Sequence, residues 1–197
     1  MDWALVKIIS LSLLFPGGGQ LYLKQNRGYV FASAEIASWI GYAFFKLEEK
    51  NLKYKSYTFA SKYADADLTR RDEAYWDAVE RYRNYEEYLE DLWRKARYFY
   101  PDDPLKQEEY VKQNLISGEW NWINDDKWFK FQDIRADMRR MGNFALITLG
   151  VMGLNRLISA IDAIVTYKAL KKKNTKGVGF YIEPCEKGFS VCLYYKF

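Results

Sequence analysis

Five side chains able to do chemistry lie in stretches that are otherwise mostly apolar: Glu35, and farther along Asn155, Arg156, Ser159 and Asp162. Ionisable groups in such surroundings pair with one another or mark a proton or ion path. Pairing of Glu35 or Asp162 with Arg156 is the expected arrangement, because no further series of carboxylates continues a conduit. Asn155, Ser159 and Asp162 are spaced to share one face of a helix, and that face should point into protein. Other chemistry is scarce. The 197 residues contain no His, so imidazole bases, Ser/His or Cys/His nucleophiles and imidazole metal ligands are excluded. The adjacent carboxylates Asp102-Asp103 and Asp125-Asp126 follow Pro101 and Asn124 and read as turn residues rather than as a glycosidase pair. Cys185 and Cys192 form neither a zinc motif nor a disulfide framework. The expectation is a non-enzymatic protein without cofactor.

A second cluster is Pro16-Gly17-Gly18-Gly19-Gln20, with Tyr22 two residues on. As a phosphate-binding loop it fails, having no preceding strand and no Lys-Ser/Thr. As a packing joint it is coherent: small residues let helices approach, and Gln20 can satisfy backbone groups freed by Pro16.

These residues need elements to hold them. Trp3 to Phe15 is apolar apart from Lys7 and two serines, Lys24 to Gly28 is a polar turn, and Tyr29 to Phe45 is apolar again. The pattern predicts a helical hairpin whose arms are near the lower limit for spanning hydrocarbon. A signal peptide is a poor fit, with Asp2 at its start and Lys7 inside the apolar run. From Lys46 to about Arg140 the chain is charged and aromatic, and Tyr75, Trp76, Val79, Tyr82, Leu89, Leu92, Trp93 and Ala96 recur at the spacing of one long amphipathic helix from Asp72 to Tyr100. A short helix follows over Leu105 to Leu115, then an aromatic loop or helix start at Trp120 to Phe129. A last helix runs from about Gln132 to Lys172, apolar from Met141 to Ala169, and ends on Lys171-Lys172-Lys173. The aromatic middle reads as an interfacial belt and packing core. Alternation of Phe189, Val191, Leu193 and Tyr195 predicts a C-terminal β-hairpin.

The run Pro16-Gly17-Gly18-Gly19-Gln20-Leu21-Tyr22 before Arg27-Gly28 resembles the P-G-x-G-Q-x-Y signature of bacterial two-helix membrane hairpin domains. It is most similar to an uncharacterised bacterial envelope family, in which the second arm carries a Glu, here Glu35. A later helix of that family has an Asn-x-x-Ile-Ser-Ala-x-Asp-Ala run, here Asn155 to Ala163. The resemblance covers about half the chain in two separated motifs. It implies membrane association and assigns no activity.

The expected fold is mainly α: a membrane-associated hydrophobic hairpin (1–46), a charged, aromatic-rich helical region (47–140), an apolar helix (141–173) and a β-hairpin tail (174–197). Thirty basic and 26 acidic side chains make a mixed surface, which disfavours nucleic-acid binding. The expected partners are membrane lipid and another protein or larger complex. The expected location is the bacterial envelope, with the inner membrane favoured and an outer-membrane or periplasmic setting the alternative. A structural or accessory subunit is the expected role, and a small homo-oligomeric transport component the alternative.

Overall fold

The computed structural model describes the chain with its side chains from Asp2 to Lys172. Over that range it is mainly helical, with seven helices in chain order: α1 (Trp3–Leu14), α2 (Gly18–Tyr22), α3 (Gly28–Ala64), α4 (Glu73–Arg81), α5 (Tyr85–Phe99), α6 (Pro104–Asn114) and α7 (Asp125–Thr175). The tail hairpin expected over 174–197 lies outside the residues so described. Two compact units result, one of Met1–Tyr42 with Leu146–Phe197 and one of Ala43–Ala145.

Two expected boundaries vanish because the backbone does not register a change of polarity. Lys46 to Lys53 contains no Gly or Pro and is rich in Lys, Glu and Leu, so α3 continues unbroken from apolar into charged sequence over 37 residues. Likewise α7 begins at Asp125 rather than near Gln132 and runs through the 140/141 boundary without a break. Asn124 starts it, its side-chain oxygen accepting from Lys127 N at 3.0 Å.

Conversely, the long amphipathic helix expected from Asp72 to Tyr100 is two helices. Asn84 caps α5 by accepting from Glu87 N at 2.8 Å, while Glu87 Oε2 accepts from Arg83 N at 2.9 Å. That reciprocal pattern starts a new helix and outweighs the apolar periodicity running across it. At α6, Asp103 accepts from Lys106 N at 3.1 Å and Pro104 occupies the first turn.

The unit of Ala43–Ala145 has an aromatic core. Tyr57 stacks on Trp76 with ring centroids 3.9 Å apart, and Tyr75 and Trp120 meet edge to face. The segment read as an aromatic loop or helix start is loop up to Asn124 and the start of α7 from Asp125, and its tryptophans close the end of α4. Trp120, Trp122 and Trp128 donate their indole N–H groups to the carbonyls of Tyr82, Val79 and Glu80 at 3.0, 3.0 and 2.9 Å. The last carbonyls of a helix lack partners within it. Burying them beneath indole rings is possible because each ring brings its own donor. Trp122→Phe keeps the ring and deletes the donor, leaving the Val79 carbonyl buried and unpaired. A loss of about 1–2 kcal/mol is expected in chemical denaturation, against little change for a substitution at exposed Ile123.

Charge around this core gives the unit an acid-sensitive side. The bonds from Lys95 and Tyr82 to Asp91 outweigh its partial burial and, with Arg94, hold its carboxyl down at about 2. A carboxyl depressed below its unfolded value stabilises the fold above the unfolded pKa near 4 and loses that contribution as pH falls towards 2. Wild type should therefore lose more stability between pH 5 and pH 2 than Asp91→Asn, by about 1 kcal/mol after allowance for screening. Equal losses of stability in parallel acid titrations of the two proteins would sink the assignment.

Candidate functional site

The unit of Met1–Tyr42 with Leu146–Phe197 turns the usual arrangement inside out. Gln20, Ser12 and Ser159 are fully buried and Glu35 is 8% exposed, whereas Trp39, Ile40 and Ile158 are 50%, 66% and 55% exposed. Polar residues share the helix contacts with Ile8, Met152 and Ala163, and most of the described Leu, Ile, Val and Trp side chains face outward.

The glycines make the inner seam possible. Phe15 ends α1, and Gly17 adopts φ +92, a backbone region that costs a residue with a Cβ about 1–2 kcal/mol. A Cβ at Gly17 would stand 2.0 Å from the Gly28 carbonyl oxygen. At Gly19 it would stand 2.2 Å from Ser12 Oγ, 2.8 Å from the Ile8 carbonyl oxygen and 3.0 Å from Ala163 Cβ. Gly19 thus sits where α1, α2 and α7 come together too closely for a Cβ, and a Cβ at Gly18 would stand 3.0 Å from the Leu11 carbonyl oxygen. Pro16 is buried at the same joint.

Across that joint the polar groups interlock. Gly17 N donates to Ser159 Oγ at 2.8 Å, and Gln20 Nε2 donates to the Ser159 carbonyl at 2.8 Å and to Asp162 Oδ2 at 3.0 Å. Gln20 Oε1 accepts from Ser159 Oγ at 3.2 Å. The side chain expected to serve backbone groups freed by Pro16 is committed to α7 instead: the tight turn already uses its local groups, Gly18 N donating to Phe15 O and Leu21 N to Gly17 O. Tyr22 lies outside the seam, half exposed, with Lys7 Nζ 4.8 Å from its ring centroid.

Both carboxylates in the unit's interior are paired with guanidinium groups. Arg156 donates twice to Glu35 Oε1, from Nε at 3.1 Å and Nη2 at 2.7 Å, while Asn155 Nδ2 donates to Glu35 Oε2 at 3.2 Å and to the Phe31 carbonyl at 3.1 Å. Asp162 does not share Arg156. It takes Arg27, whose Nη1 lies 3.0 Å from Asp162 Oδ1 and whose Nη2 donates to Thr166 Oγ at 2.6 Å. Thr166 in turn donates to the Asp162 carbonyl at 2.8 Å. Arg27 and Thr166 are the members that sequence reasoning missed. Thr166 was readable as the next residue on the Asn155-Ser159-Asp162 face, four beyond Asp162; Arg27 was readable only as a turn cation.

A second ionic cluster stands in the aromatic unit. Arg135, 2% exposed, reaches three α4 carboxylates: Nε donates to Glu80 at 2.9 Å, Nη1 to Glu73 at 3.3 Å, and Nη2 to Asp77. Burial pushes the Glu80 carboxyl up, but its bonds to Arg139 and Arg135 prevail and leave it lowered. Among the described residues no group of three or more His, Cys, Asp or Glu is arranged to hold a metal ion. Asp103 and Asp125 sit at helix starts, Asp125 paired with Arg83 at 2.5 Å.

The fold and these clusters define a helical protein with one polar-cored, apolar-surfaced unit and one aromatic-cored, charge-surfaced unit. Comparison with protein-family models, curated proteins and solved structures gave no match. Among the described residues one helix, Asp125–Lys172, is long and apolar enough to cross a membrane by length and composition, with little of its apolar stretch covered. At 12 residues α1 spans about 18 Å, short of the roughly 30 Å of a hydrocarbon core.

Proposed function

We propose that the chain is a non-enzymatic, membrane-anchored structural or accessory subunit of a bacterial envelope complex, anchored by α7 with α1, α2 and the first turns of α3 packed on it. The observation that carries the anchoring is the inverted burial of that unit: Gln20, Ser159 and Glu35 inside with hydrogen-bond partners, and most of its described Ile, Leu, Val and Trp side chains outside. In water such a surface favours association, whereas in lipid it is the ordinary arrangement. Short α1 and α2 are tolerated in this reading because α7 supports them, and the polar joint gives Gly17 and Gln20 their partners away from water. Compensation of Glu35 by Arg156 and of Asp162 by Arg27 weighs against the transport alternative, since neither interior carboxylate is left to carry an ion.

In this reading Lys24, Arg27 and Lys171 to Lys173 face the cytoplasm, as excess Lys and Arg beside spans do. A tail β-hairpin would offer a strand edge to a partner. Purification of the full chain in mild detergent with mass spectrometry tests the role. A stoichiometric foreign protein is the expected result, and a closed homo-oligomer without one would contradict it. A cysteine placed at Asp103 of a protein lacking Cys185 and Cys192 tests the topology. Labelling by an impermeant reagent in intact cells is expected, and labelling only after lysis would reverse the orientation.

A further inference from the structure

Apart from Arg156, which pairs with Glu35, the described basic residues of the apolar-surfaced unit fall on the 23–28 turn, on α1 and on the last turns of α7. Lys7 lies over the Tyr22 ring, Arg27 reaches Asp162 and Thr166, and Asp2 accepts from Tyr167 Oη at 3.0 Å and from Lys171 Nζ at 3.0 Å. Lys24 is in the same turn as Arg27, and Lys168 follows Thr166 by two residues. Every described acid of the unit is already answered: Asp2 by Lys171, Glu35 by Arg156, Asp162 by Arg27. Lys7, Lys24 and Lys168 are exposed and have no acidic partner among the described residues, so these segments carry an excess of positive charge beside half-exposed tyrosine.

We propose that this collar binds the phosphate headgroups of acidic phospholipids, and that it makes the anchor selective for an anionic leaflet. The proposal rests on the membrane-anchored reading and deepens it by naming the lipid class. Three things on the molecule support it. The excess charge is complementary to an anionic phosphate. It borders an apolar surface of Trp3, Tyr22 and Val165 that would meet the acyl chains of the same lipid. Tyrosine beside lysine is the pairing suited to a headgroup boundary, where one end of the side chain is apolar and the other wet. A Lys near an anionic surface contributes about fivefold in affinity.

The test uses the full chain in mild detergent, titrated with short-chain phosphatidylglycerol or phosphatidylcholine and read by native mass spectrometry. At least about tenfold tighter binding of phosphatidylglycerol is expected, falling to within about twofold in a Lys24→Asn, Lys168→Gln double variant. Asn suits position 24 because its φ is +57. A Lys106→Gln, Lys112→Gln control, altered in the other unit, should keep the preference. Equal binding of the two lipids by wild type would overturn the proposal, as would displacement of phosphatidylglycerol by millimolar inorganic phosphate. Failure of the anchored reading looks different: the protein would then leave membranes in carbonate and bind neither lipid.

Discussion

Arg135→Ala is expected to destabilise the aromatic unit by about 3 kcal/mol, the largest loss from any single charge in that unit. The guanidinium is almost wholly buried and divides its three nitrogens among Glu73, Asp77 and Glu80, which α4 holds on one face at positions i, i+4 and i+7. Removing it leaves those carboxylates facing one another with Lys53 and the Tyr57 hydroxyl at Glu73 and Arg139 at Glu80. It also removes a side chain that is almost wholly buried, leaving its volume unfilled. For a unit of this size the apparent Tm should fall by roughly 10–20 °C. Arg135→Lys should recover little, because one ammonium cannot reproduce three directed bonds at three separate carboxylates. Recovery of most of the lost stability by lysine would mean that charge alone, and not the fork geometry, holds α4 to α7.

Gly17→Ala is expected to have a comparable effect in the other unit, at about 3 kcal/mol or more. Two costs act together: the left-handed φ of +92 and a Cβ 2.0 Å from the Gly28 carbonyl oxygen, which is backbone and cannot swing away. The joint would have to open, pulling Gly17 N from Ser159 Oγ and breaking the register of Gln20 against α7. Detergent-solubilised Gly17→Ala should show early proteolysis within 1–42 while the aromatic unit keeps its near-ultraviolet circular dichroism. A variant as protease-resistant as wild type would contradict the close approach. Gly150→Ala is the natural control, because nothing lies within 4 Å of a Cβ there.

Much of the polar joint is legible in the sequence, and for a physical reason. Three glycines after a proline, and polar residues at helical spacing inside an apolar run, are costly unless something uses them, so their presence marks a contact. Which acid meets which base was not legible. Arg156 has two candidate partners in the sequence, Glu35 and Asp162, and the choice falls to the fold of the 23–28 turn, which delivers Arg27 to Asp162 and leaves Arg156 to Glu35. Helix boundaries were misjudged where polarity and backbone propensity disagree. Composition changes at Lys46 and Met141 without any breaker, so α3 and α7 ran on. Between Tyr82 and Tyr85 the apolar period persists, yet Asn84 with Glu87 supplies a start signal that stops it. The segment of 120–128 is legible as a loop running into a helix start, but not what its tryptophans cover, because aromatic and polar together suit a membrane interface and a helix end equally well. Only the positions of the Val79, Glu80 and Tyr82 carbonyls separate the two.

The account turns on which way the apolar surface of α7 faces, and spin-label accessibility reads that directly. Labels placed singly at Leu154, Ile158 and Ile161, all exposed, and at Ala160 and Ala163, both buried, would be measured in bilayers for collision with oxygen and with a polar nickel chelate. Oxygen should dominate at Leu154, Ile158 and Ile161, and both reagents should be excluded at Ala160 and Ala163. Dominance of the nickel chelate at Leu154, Ile158 and Ile161 would place that face in water and contradict the membrane-anchored reading.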